Sequence, residues 1–383
     1  RALDTVQALG APPLPVAYAS GGGVEVRADY SPVDGIAHAM CVRRIGLDAA
    51  LVATARAAGA DVREHARVTD LVWRDGRVVG VRYQDQDGSV RQVCASLVVG
   101  ADGRRSTIAD LVGTATPYRA RPSGRACYYG YWRDAASSWR DIAAQWRAGG
   151  ELGTAFPCDD GLVLVLLQPP TRRVDEFRGD VERTYRQTIA AIPGLAARLR
   201  DCELMGPVRS ATGIESYFRR SSGPGWALVG DAGHFKDPVT AQGIRDALRY
   251  GRQLGEAAHE RLDDAPALDA AVTRWERDRE RDCLEVYQWT NELARGEPMS
   301  AIEIELYRAA ASAPALAREM TDIFSRVRRP GEVATVRRAA VFAARAVRET
   351  RRPGSVARAI ARDTFTVVRN RLVRLAAESA QLR

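Results

Sequence analysis

The feature that most constrains the fold is a short pattern that occurs twice in the chain. Each copy is an apolar run of the buried-strand type, followed by glycine and aspartate and then by the start of a helix. The copies are residues 98–106 (VVGADGRRS) and 226–234 (WALVGDAGH). Small residues after a strand let the backbone approach a ligand closely, and the first turn of a helix offers free N–H groups to an anion. Each copy alone also fits a plain strand–turn–helix, but together they predict a nucleotide-cofactor site assembled from distant segments.

Length and composition indicate a globular chain of several parts. At roughly 150 residues per domain, 383 residues predict two or three domains, or one large domain with insertions. With 46% hydrophobic and 27% charged residues, wholesale disorder is excluded. No apolar run is long enough for a transmembrane helix and no signal peptide is visible. The six cysteines show no paired spacing, which favours buried free thiols in a cytoplasmic protein, and the histidines show no metal-ligand spacing, so no metal site is expected.

The positive charge lies at one end of the chain. Residues 326–383 hold 15 arginines and 4 acidic residues, a net charge of +11, which leaves −3 for the other 325 residues. This distribution argues against a nucleic-acid-binding body, because such a body needs a basic face. Arginine-rich helices packed on the body are the plain interpretation of this segment. An acidic protein partner, such as an acyl carrier protein, and an anionic membrane surface are the alternatives.

Periodicity predicts the elements around the two motifs. A helix should begin at Arg44 and end at Gly59, and a long helix should begin at Gly243. Strands are predicted at 67–73, 77–83, 89–94, 126–132 and 162–167, and a helix with its exit near Pro193 is predicted over 175–200. In the basic segment, one apolar stripe is predicted from Val333, Val336, Ala340, Ala343 and Val347, and a second within 355–383.

The two motifs resemble the "DG" and "GD" motifs of the FAD-dependent monooxygenases of the p-hydroxybenzoate hydroxylase type, the group A flavoprotein monooxygenases. The helix that begins at Arg44 resembles the one that precedes the DG motif in that family. The order and spacing of these features match those of the family across about residues 1–300. The family opens with a strand, a GxGxxG loop and a helix, and this chain shows no such segment. The sequence is therefore expected to be a fragment of a longer protein.

The resemblance implies an α/β (α+β) fold in four segments. Residues 1–114 would form the first part of a Rossmann-like FAD-binding domain that is incomplete at its N-terminus. An inserted β-sheet substrate domain would follow at 115–222, and the second part of the FAD-binding domain, with the GD motif, at 223–300. Residues 301–383 would form a helical, arginine-rich C-terminal region.

The resemblance also implies where FAD binds. Eight cofactor-binding residues are expected: Arg44, Asp102, Gly103, Gly230, Asp231, Pro238, Gln242 and Gly243. Asp102 and Gly103 would lie near the cofactor phosphates, and Asp231 would contact the ribose. Pro238 would pack beside the isoalloxazine, and the helix that begins at Gly243 would point N–H groups at the flavin N1/O2 edge. A surface arginine at a helix start is the alternative for Arg44.

The implied reaction is hydroxylation of a small aromatic or polyketide-like molecule by O2 and NAD(P)H, through a flavin C4a-hydroperoxide. Because the cofactor carries the chemistry, no catalytic acid or base is assigned. Tyr129 and Tyr131 are candidate substrate contacts, with core packing as the alternative, since only one face of their strand points inward. His234 is expected to be a structural hydrogen-bonding residue.

Two other functions remain open at this point. One is a different flavin reaction on the same fold, by a reductase, a dehydrogenase or a halogenase. The Asp237-Pro238 step resembles the halogenases, but their WxWxIP motif is absent. The other is a truncated, non-catalytic chain that binds an acidic partner through its basic segment.

Overall fold

The computed structural model describes residues 2–349 together with Asn370 and Val373. The described residues form two compact units. The first unit comprises the chain up to Asp61, Ser123–Ile214 and the described residues from Leu293 onward, and the second comprises Val62–Pro122 and Glu215–Glu292. This division differs from the four predicted segments, because the chain up to Asp61 falls in the same unit as most of 115–222. The assignment of segments to FAD and to substrate stays a prediction.

The elements are numbered in chain order. The strands are β1 (Val16–Gly21), β2 (Val24–Asp29), β3 (Arg67–Arg74), β4 (Arg77–Gln84), β5 (Val90–Cys94), β6 (Val98–Gly100), β7 (Arg119–Pro122), β8 (Cys127–Arg133), β9 (Ile142–Ala148), β10 (Glu151–Pro157), β11 (Leu162–Leu167), β12 (Glu203–Ala211), β13 (Glu215–Phe218), β14 (Ser222–Gly223), β15 (Trp226–Leu228) and β16 (His234–Phe235). The helices are α1 (Ala2–Gln7), α2 (Arg44–Ala57), α3 (Thr107–Leu111), α4 (Val174–Gly179), α5 (Val181–Ala190), α6 (Pro193–Arg198), α7 (Gly243–Ala258), α8 (Ala265–Leu293), α9 (Ala301–Ser312), α10 (Pro314–Phe324), α11 (Pro330–Val333) and α12 (Val336–Glu349).

The first unit is built on a seven-stranded sheet in the order β12-β8-β11-β10-β9-β1-β2. Its neighbours are antiparallel except for β1 and β9, which are parallel. Strand β8 alternates as its sequence predicts: Tyr128 and Trp132 are buried in the core with Phe177 and Tyr185 of α4 and α5, while Tyr129 is only half-buried. Burying each such aromatic side chain stabilises the fold by about 1.5–3 kcal/mol.

The helix predicted over 175–200 is in fact three helices, α4, α5 and α6. Pro193 does not end a helix but occupies the first turn of α6. Proline suits that position because its fixed φ is helical and the N–H that it lacks would have no intrahelical partner there. A helix does end near Pro193 as expected, since α5 ends at Ala190, but Pro193 itself begins the next helix.

The second unit contains three small sheets, in the orders β16-β13-β7, β14-β15-β6 and β3-β4-β5. The last sheet is the predicted meander, and its first turn has Asp75 and Gly76 at positive φ. One core packs β6 and β15 against α3, and a second core joins Phe218 to Tyr250 and Trp275 of helices α7 and α8. The predicted α/β fold class is confirmed.

Helix α12 packs against α9 in the first unit. Its buried side chains are Phe342 and Ala346, whereas Val336 is 70% and Val347 43% exposed. Of the predicted stripe, Val333 in α11 is buried, but the stripe is wrong along α12, where the large Phe342 side chain lies on the inward face. The stripe within 355–383 lies outside the described residues, and the acidic partner or membrane surface stays a prediction. In the part of the chain that the structure describes, no helix is both long and apolar enough to span a membrane.

Candidate functional site

The two motif strands lie side by side in the second unit. Strands β6 and β15 pair in parallel, with Trp226 opposite Val98 and Leu228 opposite Gly100. The Val229 N–H then donates to the carbonyl of Gly100 at 2.9 Å. A Cβ at Gly100 would lie 2.7 Å from Leu228 Cδ2, so this close pairing requires glycine. Because the strands are parallel, the turns that follow them emerge at the same edge of the sheet.

In the DG turn, the Asp102 carboxylate is engaged at the start of α3. Its Oδ1 accepts from the Ser106 hydroxyl at 2.6 Å and its Oδ2 from the Ile108 N–H at 3.2 Å. Ser106 in turn caps α3 by accepting from the Ala109 N–H at 2.9 Å. Gly103 has a φ of 78°, and a Cβ there would meet no atom within 4 Å. The turn is thus held by Asp102 and leaves an open backbone surface at Gly103, while their contact with cofactor phosphate stays a prediction.

In the GD turn, Gly230 has a φ of 54° and begins a single 3-10 turn that contains Asp231. The Tyr217 hydroxyl lies 2.5 Å from the Asp231 carbonyl and 3.4 Å from the Arg104 carbonyl, so one side chain connects both turns. Burial raises the pKa of Tyr217 to about 12, so the phenol stays neutral and can donate. Sequence reasoning missed this residue, since nothing near it in the chain marks it.

The segment from the GD turn to α7 is folded into a second turn with local hydrogen bonds. Pro238 begins a second 3-10 turn, in which Asp237 accepts from the Val239 N–H at 2.9 Å. Ala241 adopts a left-handed conformation with a φ of 53°. The buried Gln242 precedes α7 and donates to the Thr240 carbonyl at 3.0 Å. This geometry places Pro238 and Gln242 immediately before the start of α7.

Gly243 and Asp231 face each other at that start. A Cβ on Gly243 would lie 4.0 Å from the Asp231 carboxylate, and Gly243 itself is exposed. The first turn of the 16-residue α7 presents N–H groups without intrahelical partners and the positive end of the helix dipole. An open glycine, a carboxylate and a helix N-terminus fit the polar edge of a flavin and a sugar hydroxyl.

Behind this edge lies a buried cluster of four ionisable side chains. The Lys236 ammonium donates to the Asp246 carboxylate, lies 2.8 Å from His234 Nε2 and contacts the Cys283 sulfur at 3.5 Å. The side chains of Lys236 and Asp246 are only 2% and 3% exposed. Burial acts to raise the pKa of Asp246, but the hydrogen bond with His234 and the charge of Lys236 hold it well below its usual range.

Apart from a structural hydrogen-bonding role for His234, sequence reasoning assigned no function to this cluster, although Lys236 is the single lysine of the chain. His234, Asp246 and Cys283 could also serve as metal ligands, since their donor atoms lie within 4.8 Å of one another. The ammonium of Lys236 contacts all three, so the cluster carries its own cation. His234 also stacks on Phe218 at 5.2 Å, in keeping with a structural role.

The remaining predicted site residues lie in the first unit. Arg44 begins α2, is 68% exposed and binds Asp48 through two hydrogen bonds of 2.9 and 3.0 Å. The rings of Tyr129 and Tyr131 lie edge to face at 6.3 Å on the sheet face opposite the core. The roles of Arg44 toward flavin and of the tyrosines toward substrate stay predictions.

Comparison with known proteins adds a family and several relatives. The family model described as "FAD binding domain" matches residues 4–274. Digeranylgeranylglycerophospholipid reductase 1 of Methanopyrus kandleri is 27% identical over 270 residues, which are 67% of this chain and 67% of that protein. The corresponding reductase of Methanosarcina mazei is 27% identical over 67% of this chain and 59% of its own length.

Solved structures share the fold at lower sequence identity. A flavoprotein/dehydrogenase from Cytophaga hutchinsonii superposes with a TM-score of 0.69 at 20% identity, covering 85% of this chain and 78% of that one. The myxobacterial chondrochloren halogenase superposes with a TM-score of 0.65 at 19% identity, covering 88% of this chain and 82% of that one. A probable FAD-dependent monooxygenase from Pseudomonas aeruginosa superposes with a TM-score of 0.62 at 18% identity, covering 82% of this chain and 84% of that one.

Proposed function

The chain belongs to the family of FAD-binding domains and is an FAD-dependent oxidoreductase. We propose that it uses NAD(P)H to reduce bound FAD and hydroxylates a small aromatic or polyketide-like molecule with O2. The observation that carries this proposal is the convergence of both motif turns and the start of α7 at one sheet edge. The motifs resemble the group A hydroxylases, and one structural neighbour is described as a probable FAD-dependent monooxygenase.

The residues at this edge would hold the cofactor as follows. The Asp231 carboxylate would accept hydrogen bonds from ribose hydroxyls, and the N–H groups from Gly243 onward would face the flavin N1/O2 edge. Tyr217 keeps the two turns together with a neutral hydroxyl. Bound FAD would supply hydride acceptance and oxygen activation, and the protein would position it and exclude water.

Lys236 would contribute to the same site through charge. Asp246 lies in the first turn of α7, where an unpaired carboxylate would offset the positive helix end. Its pairing with the Lys236 ammonium neutralises that carboxylate. The helix N-terminus therefore remains favourable to the negative charge that a reduced flavin carries.

FAD binding is the first test. We expect the purified chain to retain FAD, and Asp231→Ala to weaken its affinity about tenfold or more, because a hydrogen bond to a charged group contributes about 1.5–3 kcal/mol. Asp263→Ala, which changes an exposed aspartate far along the chain, is the matched control. The proposal is refuted if a folded protein that also carries the residues encoded upstream of residue 1 binds no FAD in a fluorescence titration.

Double-bond reduction of a lipid is the second candidate, favoured by the two reductases that match by sequence. The two reactions differ in their products. Hydroxylation adds one oxygen atom from labelled O2 to the substrate, whereas reduction adds two hydrogen atoms and needs no O2. Mass spectrometry of the product of an NAD(P)H-dependent turnover therefore decides between them.

A further inference from the structure

Two cysteines that are far apart in the sequence meet in the first unit. The sulfur atoms of Cys41 and Cys158 lie 3.4 Å apart. Cys158 is fully buried just after β10, and Cys41 is partly buried in the irregular segment between β2 and α2. Their spacing in the chain gave no sign of a pair, because only the fold brings them together.

Neighbouring contacts hold the two cysteines in place. Arg43 binds Asp159 through its backbone N–H at 3.0 Å and its Nε at 2.7 Å, and it also pairs with Asp160. The Cys158 N–H donates to the Leu162 carbonyl at 2.7 Å, within the turn between β10 and β11. The ion pair two residues beyond Cys41 therefore keeps this segment against that turn and the two sulfur atoms in contact.

A disulfide would need little movement. Its S–S bond is about 2.05 Å long, so the sulfur atoms must approach by about 1.4 Å from their present 3.4 Å. Small side-chain rotations of Cys41, which lies outside the regular elements, can supply this distance. Two other cysteines can serve as controls for oxidation. Cys94 is exposed, and Cys202 lies beside Arg198.

Both cysteines contribute to the electrostatic surroundings of Tyr131, a residue that is expected to contact substrate. Burial raises the pKa of the Tyr131 phenol, and negative charge on Cys158 or Cys41 would raise it further. Tyr131 therefore shares its electrostatic surroundings with both thiols and with Arg43.

We propose that Cys41 and Cys158 are an oxidisable dithiol that hydrogen peroxide closes to a disulfide, tying the segment before α2 to the β10–β11 turn. Peroxide first oxidises the Cys41 thiol to a sulfenic acid and releases one water. The Cys158 sulfur then attacks the Cys41 sulfur, the S–S bond forms, and the sulfenic oxygen leaves as a second water. The two sulfur atoms lose two electrons in total, and these reduce the O–O bond of one peroxide.

Peptide mapping of the full chain tests the proposal directly. The protein is treated with hydrogen peroxide, its remaining thiols are alkylated under denaturing conditions, and it is digested without reductant. We expect one cross-linked pair of peptides that contains Cys41 and Cys158, has lost two hydrogen atoms and separates on addition of dithiothreitol. Oxidation of the exposed Cys94 shows that the peroxide was effective. If Cys94 is oxidised while Cys41 and Cys158 are both recovered alkylated, or are oxidised singly, the proposal is wrong.

Cysteine variants test which residues form the cross-link, and proteolysis tests whether the cross-link restrains the segment before α2. Cys41→Ser and Cys158→Ser should each abolish the cross-linked peptide, and Cys202→Ser should retain it. Oxidised wild-type protein should be cleaved by trypsin after Arg43 and Arg44 several-fold more slowly than reduced protein, and dithiothreitol should restore the rate. Equal cleavage rates in both states would refute the claim that the bond ties this segment down. The wild-type peptide map stands even if a serine variant fails to fold.

Discussion

Replacing Lys236 by methionine should destabilise the second unit strongly. The substitution keeps the length and much of the apolar volume of the side chain but removes the ammonium. It leaves the Asp246 carboxylate, which is 3% exposed, without its main buried partner, and it takes a hydrogen-bond partner from His234. Removing one member of a buried ion pair costs about 3–5 kcal/mol, because the remaining charge is left uncompensated in a medium of low dielectric constant.

The structure places the expected value at the lower end of that range. Arg245 also binds Asp246, at 2.9 Å, and its side chain is 31% exposed, so it compensates part of the lost charge. We therefore expect the free energy of unfolding to fall by about 3 kcal/mol. Urea denaturation at neutral pH measures it, followed by tryptophan fluorescence, since Trp226 and Trp275 lie in the cores of this unit. The control is Arg186→Met, whose exposed pair with Glu182 should contribute less than about 1 kcal/mol.

A double variant isolates the interaction itself. With Asp246 also replaced by leucine, no uncompensated charge remains, and the Lys236→Met/Asp246→Leu protein should be more stable than Lys236→Met alone. The reasoning is refuted if Lys236→Met costs no more than the Arg186 control, or if the effects of the two substitutions simply add.

The pair of Lys236 and Asp246 also determines how the free energy of unfolding changes with pH. The pKa of Asp246 is lower in the folded state than the value of about 4 expected in the unfolded state. A lowered folded-state pKa contributes stability that is present above the unfolded-state value and is lost as the pH falls below it. The stability of the wild type relative to the Lys236→Met/Asp246→Leu variant, which has no carboxylate at this position, should therefore be highest at neutral pH and fall below about pH 4.

Three further substitutions test the motif turns. Gly100→Ala should lower the free energy of unfolding by about 1–3 kcal/mol in urea denaturation, because its Cβ would clash with Leu228. Asp102→Ala should cost about 0.5–2 kcal/mol in the same assay, because it removes a cap of α3; an unchanged stability would show that the carboxylate is not needed there. Tyr217→Phe should weaken FAD binding several-fold in a fluorescence titration while changing stability by only about 0.5–1.5 kcal/mol, because the hydroxyl connects the two turns.

The parts of this molecule that sequence could predict are those with local causes. A turn that needs positive φ selects glycine or aspartate, as at Asp75 and Gly76. The alternation of Tyr128 and Trp132 with Tyr129 and Tyr131 follows from the two-residue period of a strand. The two motif turns were identifiable for the same reason, since Gly103 and Gly230 have positive φ, which is a local requirement of the backbone.

The parts that sequence could not predict depend on pairings between distant segments. Asp246 and Cys283 reach Lys236 only after α7 and α8 have packed, and no spacing in the chain encodes that meeting. The contact of Cys41 with Cys158 is of the same kind. The inward face of α12 was likewise decided by the fit of Phe342 against its neighbours and not by the count of apolar residues on a stripe.

The choice of lysine at position 236 has a physical reason that composition brings out. The chain has 56 basic residues, and all but this one are arginine. With so strong a bias toward arginine, we expect lysine to persist only at a position where arginine does not fit. At this position the cation sits among a carboxylate, an imidazole nitrogen and a sulfur atom, with the side chain 2% exposed. A compact ammonium can direct its three donors to separate partners there, whereas the planar guanidinium is larger and has its donors fixed in a fork. Lys236→Arg should therefore keep the charge yet lose stability in urea denaturation, and a fully stable arginine variant would show that charge alone matters at this site.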